Sequence, residues 1–127
     1  MDKEYIKKVI YSSGEILLPD SVNHTLQKNI IGSSKKTYYM SWWSIIHLMN
    51  GLIVGFIYLF FKYDIKRYTL MMLIIHTCWE VFQSIVGMAK PYKLNGPNNL
   101  IDSIVDTLLF MLGAYIILKL YKNKYKK

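Results

Sequence analysis

This chain has a single cysteine, no phosphate-cradling glycine loop, no nucleophile elbow and no internal repeat. The lone Cys78 excludes an intrachain disulfide and any cysteine-based metal motif, and within an apolar stretch it says nothing about compartment. Acidic residues are scarce, 8 against 16 lysines and arginines, for a net charge of +8. The most telling absence is of charge itself. From Ser41 to Phe61 the chain runs SWWSIIHLMNGLIVGFIYLFF, without one Asp, Glu, Lys or Arg.

What is present follows from that gap. About 20 residues at 1.5 Å each cross a ~30 Å hydrocarbon core, so residues 41–61 read as a spanning helix. Residues 68–88, YTLMMLIIHTCWEVFQSIVGM, have the same length with one carboxylate, Glu80, and read as a second span. Residues 100–120, LIDSIVDTLLFMLGAYIILKL, give a third, with Asp102 and Asp106 near its start and Lys119 able to snorkel at its end. Tyrosines and tryptophans gather near the span ends, as interfacial belts do. The fold expected is all-α: a polytopic membrane protein, multi-pass, with three transmembrane helices in an up-down bundle. The KYDIKR loop at 62–67 makes the first two spans antiparallel neighbours.

The remainder is different material. Residues 1–40 mix short apolar triplets with Ser, Gly, Pro and Lys, too broken for a span, and read as a non-spanning soluble or interfacial extension. Within it, Asp2 to Tyr11 reads either as a short helix on the head groups or as a partly ordered tail. The connection at 89–99, AKPYKLNGPNN, is rich in turn-forming residues, and residues 121–127 form a basic tail. Because the positive charge lies outside the spans, its expected partner is anionic membrane lipid and not nucleic acid.

Polar groups inside the spans are the candidate site. A charged side chain at a helix centre costs about 2.5–3.5 kcal/mol on insertion scales, so a chain that keeps several must pair them or use them. In a three-span arrangement the start of the first span, the end of the second and the start of the third share one side of the membrane. His47, Glu80, Gln83, Asp102 and Asp106 then all lie within roughly 3–12 Å of the same boundary. Helical phase agrees: His76, Glu80 and Gln83 are spaced i, i+4, i+7, Asp102 and Asp106 i, i+4, and His47 and Asn50 i, i+3. His76 lies about 6 Å deeper than Glu80 and reads as a floor. Asp102, in the first turn of its expected helix, reads equally as a helix cap. Gly51 and Gly55 form a G-x-x-x-G on the first span and Gly113 with Ala114 allows close approach on the third; these read as packing.

His47, Glu80 and Asp106 are the candidate catalytic residues, and Gln83, Asp102, Lys90 and Lys93 the candidate substrate-binding ones, with the two lysines placed to hold a phosphate. Carboxylates and imidazoles together suit a divalent ion such as Mg, Mn or Zn, or a carboxylate–histidine acid–base pair; the sequence assigns no metal.

The order of these residues resembles the VanZ-like group of small membrane proteins. Its members show a histidine in an early span, an E-x-x-Q pair, a loop, and a D-x-x-x-N-x-x-G-A pattern. His47 in WSIIHLMNGL, Glu80 and Gln83 in WEVFQ, and Asp106 with Gly113 and Ala114 in DTLLFMLGA fit these elements over residues 42–117. Phe110 stands where the asparagine is usual, and the loop has lysines but no arginine. The resemblance implies a link to glycopeptide resistance and the cell envelope, without a settled reaction.

Three function classes follow: a membrane protein that binds or acts on a lipid or envelope headgroup, a structural or accessory subunit whose buried polar groups fix helix packing, and an oligomer that conducts protons or ions through the polar seam.

Overall fold

The computed structural model describes residues 2, 3, 5, 6, 9, 19–26, 28–31, 40–85 and 97–125. The chain is mostly helical. Lys3, Tyr5, Ile6 and Val9 are helical, with the Ile6 N–H donating to the Asp2 carbonyl at 3.2 Å. Helix α1 follows at Asp20–Leu26, where the Thr25 hydroxyl donates to the Ser21 carbonyl. Two short strands, β1 at Asn29–Ile31 and β2 at Met40–Ser41, pair antiparallel with a register irregularity between Asn29 and Ile31. This ribbon departs from the all-α expectation. Strands of three and two residues are too short to leave an alternating pattern in the sequence.

β2 runs straight into helix α2, Trp42–Phe60. Ser41 sits at the cap in extended conformation, and its N–H donates to the Ser44 hydroxyl at 3.3 Å, so an otherwise unmatched end group finds a partner. The other end of α2 closes in a Schellman arrangement. Lys62 N–H donates to the Leu59 carbonyl at 3.1 Å and Tyr63 N–H to the Tyr58 carbonyl at 3.3 Å, with the Tyr58 and Tyr63 rings 5.1 Å apart as its apolar contact. Lys62 occupies the left-handed position, φ 56°, which glycine usually fills. Asp64 then caps a 3-10 turn, Ile65–Arg67, by accepting from the Lys66 N–H at 2.9 Å. That turn leads into α3, Tyr68–Ile85. The last helix, α4, is Pro97–Tyr125.

The contacts fix the directions. Tyr58 meets Tyr68 and His47 meets His76, so α2 and α3 run antiparallel. Gly51 lies against Phe110 and Gly55 against Ala114, so α2 and α4 run parallel. The expected loop geometry holds, yet the closest approach is between α2 and α4, not between the sequential pair. Glycines make it possible. A Cβ on Gly51 would collide with the Phe110 carbonyl oxygen, and one on Gly113 with the Leu48 carbonyl oxygen. Small residues at such positions let helix backbones approach closely.

Burial is inverted. Ser41, Ser44, His47, His76 and Asp106 are buried, while Ile53, Phe56, Ile57, Phe60, Leu108, Leu112 and Leu120 are exposed. The apolar core, Leu59, Tyr68, Met72, Phe110, Ala114 and Leu118, occupies the end of the bundle around the start of α3. There the Tyr68 hydroxyl donates to the Ala114 carbonyl at 2.7 Å.

Among the described residues, two helices are long and apolar enough to cross a membrane: Trp42–Phe60 and, within α4, Ser103–Tyr125. Three such spans were expected at 41–61, 68–88 and 100–120, and α3 does not show itself as the third. His76, Glu80 and Gln83 dilute its apolar content within 18 residues, and residues 86–88 of the expected span lie outside the described part.

Candidate functional site

The polar stripes of three helices meet at one end of the bundle. His47 is carried on α2 two turns below the Ser41 cap, with its ring 6.2 Å from that of Trp43. His76 and Glu80 project from one face of α3, one turn apart, and Asp106 and Thr107 come from α4. His47 and His76 are each 1% exposed and Asp106 4%, whereas the Glu80 side chain keeps 27% of its surface. Glu80 is therefore the opening of the cluster and the histidines its interior.

His47 is the hub. Its Nδ1 lies 3.2 Å from His76 Nε2. Its Nε2 lies 3.3 Å from Asp106 Oδ2 and 3.6 Å from Glu80 Oε1. His76 Nε2 is also 3.5 Å from Glu80 Oε1, and His76 Nδ1 is 3.4 Å from the Thr107 hydroxyl. Thr107 donates its own proton to the Ser103 carbonyl at 2.7 Å. The Phe110 ring, 4.7 Å from that of His76, separates the cluster from the apolar core.

The arrangement has two chemical capacities. A histidine in contact with two carboxylates on one nitrogen and a second histidine on the other can pass a proton along the chain. One nitrogen from each of His47 and His76 and an oxygen of Glu80 also lie within 4.8 Å of one another, inside the span of a metal coordination sphere.

Of the residues singled out in the sequence, His47, Glu80 and Asp106 come together. Gln83 is half-buried on α3, one turn past Glu80, and makes no hydrogen bond to the cluster among the described residues. Asp102 lies on α4 one turn before Asp106, but its side chain is outside the described part, as are Lys90 and Lys93 altogether. Two further residues join the cluster, His76 and Thr107. His76, expected as the floor of the site on the same stripe as Glu80, stands against both His47 and Glu80. Thr107 was visible only as one more polar residue beside Asp106, with nothing in the sequence to aim it at a histidine.

No family model, curated protein or solved structure matches this chain.

Proposed function

We propose that the chain is a polytopic membrane protein in which α2, α3 and α4 all span the bilayer, and that the His47, Glu80 and Asp106 cluster binds or acts on the polar headgroup of a membrane or envelope lipid. The observation that carries this reading is the inverted burial: among the described residues, five polar side chains are buried while large apolar ones are exposed. A helix bundle in lipid must turn its polar faces inward, and the ionisable groups it retains there mark functional sites by default. On this reading α3 spans despite its diluted apolar content, because its polar stripe faces the other two helices.

Position supports the substrate class. The cluster lies toward the end of α3 and the start of α4, and the sequence between these helices carries Lys90 and Lys93, two cations suited to a phosphate. Glu80 is its exposed member, so a headgroup arriving from that side meets a carboxylate first and the histidines behind it. The VanZ-like order of His47, Glu80, Gln83 and Asp106 accords with an envelope role.

The alternative is an accessory membrane subunit in which the same groups fix helix packing. The chain of contacts from Ser103 through Thr107 and His76 to His47 ties three helices together and favours it. The two readings separate in the full chain reconstituted in vesicles of phosphatidylglycerol and phosphatidylethanolamine. His47→Gln and Asp106→Asn should keep helical content and melting behaviour while losing headgroup binding or turnover. Variants that keep both the fold and the lipid activity would sink the headgroup reading, and variants that fail to assemble would favour the packing one.

A further inference from the structure

A second feature lies at the end of the bundle opposite the polar cluster. Gly51 lies against Phe110 and Gly55 against Ala114 in parallel helices, so α2 and α4 finish at the same end, and α4 runs on past Phe60 to Tyr125. In the corner left by that overhang is an open-sided cavity of about 600 Å³. Its walls are apolar: Leu59 is buried at its base, with Phe56, Phe60, Ile117 and Leu120 around it. Small-molecule sites have volumes of roughly 300–1,000 Å³ and are likewise apolar with a few polar groups that set orientation.

The charged groups here are of one sign. Lys62, just past the end of α2, and Lys124, in the last turn of α4, both line the cavity. Among the described residues no carboxylate lines it, and neither lysine forms an ion pair with one. Asp64, two residues from Lys62, is engaged in its own loop, accepting from the Lys66 N–H at 2.9 Å and facing Arg67 Nε at 3.6 Å. Residues 107–125 contain no Asp or Glu. Lys62 adds an independent observation: it holds φ 56°, where glycine would close the helix without strain. Disfavoured backbone conformations gather at ligand clamps, and glycine here would remove an ammonium group from the cavity.

We infer that this cavity binds one anionic glycerophospholipid, with an acyl chain against Phe56, Phe60, Ile117 and Leu120 and the phosphate held by Lys62 and Lys124. Two ammonium groups beside an apolar cavity complement an amphiphile with an anionic head, and basic pockets between spanning helices recognise such head groups. A lysine at a helix end also complements the macrodipole, but that role does not require two lysines from different helices to line one apolar cavity. The inference rests on the reading of α2 and α4 as spans. It is separate from the headgroup reading of the polar cluster, which lies at the other end of the bundle.

The test uses the full chain in phosphatidylcholine vesicles containing a little phosphatidylglycerol with a photoreactive diazirine on its acyl chain. Cross-linked peptides are read by mass spectrometry. Label should concentrate on residues 56–60 and 117–121 over the exposed Leu108 and Leu112 of the same helix, and unlabelled phosphatidylglycerol should suppress it. Lys62→Gln and Lys124→Gln should each raise the phosphatidylglycerol needed for that suppression roughly 5-fold, the effect of one lysine near an anionic lipid surface. Lys66→Gln, the same charge change outside the cavity, should not, and the Lys62→Arg, Lys124→Arg pair should keep the wild-type pattern. Absent or uniform label, equal label from a phosphatidylcholine probe, or a Lys62→Gln, Lys124→Gln double variant that behaves as wild type overturns the site. Suppression by inorganic phosphate as strong as that by phosphatidylglycerol overturns the lipid assignment. Failure here is distinct from failure of the headgroup reading. Label missing at this end leaves the cluster variants to report on their own lipid activity, and cluster variants that keep that activity leave this label in place.

Discussion

The two ends of the helix bundle are held together by different physics. At one end Leu59, Tyr68, Met72, Ala114 and Leu118 pack as an apolar core, with the Tyr68 hydroxyl bonded to the Ala114 carbonyl inside it. At the other, His47, His76, Glu80, Asp106 and Thr107 meet through polar contacts between three helices. Between them Gly51 and Gly113 bring the α2 and α4 backbones together, and Phe110 closes the boundary. For a bundle with an apolar exterior, apolar character alone cannot tell inside from outside, so association depends on close packing and interhelical hydrogen bonds. One end relies on the first and the other on the second. Stability and chemistry should therefore come apart along the bundle axis.

The strongest way to break that division is to attack the glycine seam, which both ends share. Gly51→Val places side-chain atoms where even a Cβ would strike the Phe110 carbonyl oxygen. We expect a loss of about 3 kcal/mol or more in reversible unfolding from mixed micelles, with both the apolar core and the cluster disrupted. If the variant unfolds like the wild type, α2 and α4 do not depend on this approach.

Next in size is a contrast between the two ends. Met72→Ala empties a fully buried position of the apolar core and should cost roughly 2–4 kcal/mol, while leaving lipid binding at the cluster intact once folded protein is compared. His47→Gln should do the reverse, abolishing binding at a smaller cost in stability. Equal effects of the two substitutions on binding would mean that the ends are one cooperative unit.

Smaller effects sharpen the account of the apolar end. Tyr68→Phe removes the donor to the Ala114 carbonyl and should cost about 1 kcal/mol, visible as a modest fall in melting temperature. Lys62→Gly relieves the left-handed backbone at the end of α2 and should stabilise by about 1 kcal/mol, with no change in binding at the cluster. A fall in stability there would mean that Lys62 makes a contribution its backbone conformation does not reveal.

The legibility of the molecule in its sequence follows the same division. The long charge-free run of α2 and the apolar length of α4 were enough to mark both as candidate spans, since length and composition are properties of the chain alone. Helix α3 was expected as a span as well, yet His76 and Glu80, which give it a role in the cluster, also lower the apolar signal by which a span is recognised. The β1–β2 ribbon left no signal at all, since its strands are too short for periodicity. At the site, the i, i+4 spacing made Glu80 and His76 neighbours on one face, yet depth alone assigned His76 to the floor.

What the sequence determined by itself is local: which long segments are helical, which face of each carries polar groups, and at what height those groups stand. These follow from the 3.6-residue repeat and the 1.5 Å rise, which need no partner helix. Only the tertiary structure decided that α2 packs closest to the parallel α4 and not to its neighbour in sequence. Only it placed His76 between His47, Glu80 and Thr107, and set the Phe110 ring as the boundary. The rotation and offset of one helix against another depend on which side chains leave room for a backbone, and Gly51 and Phe110 settle that across a separation in sequence that no local pattern spans.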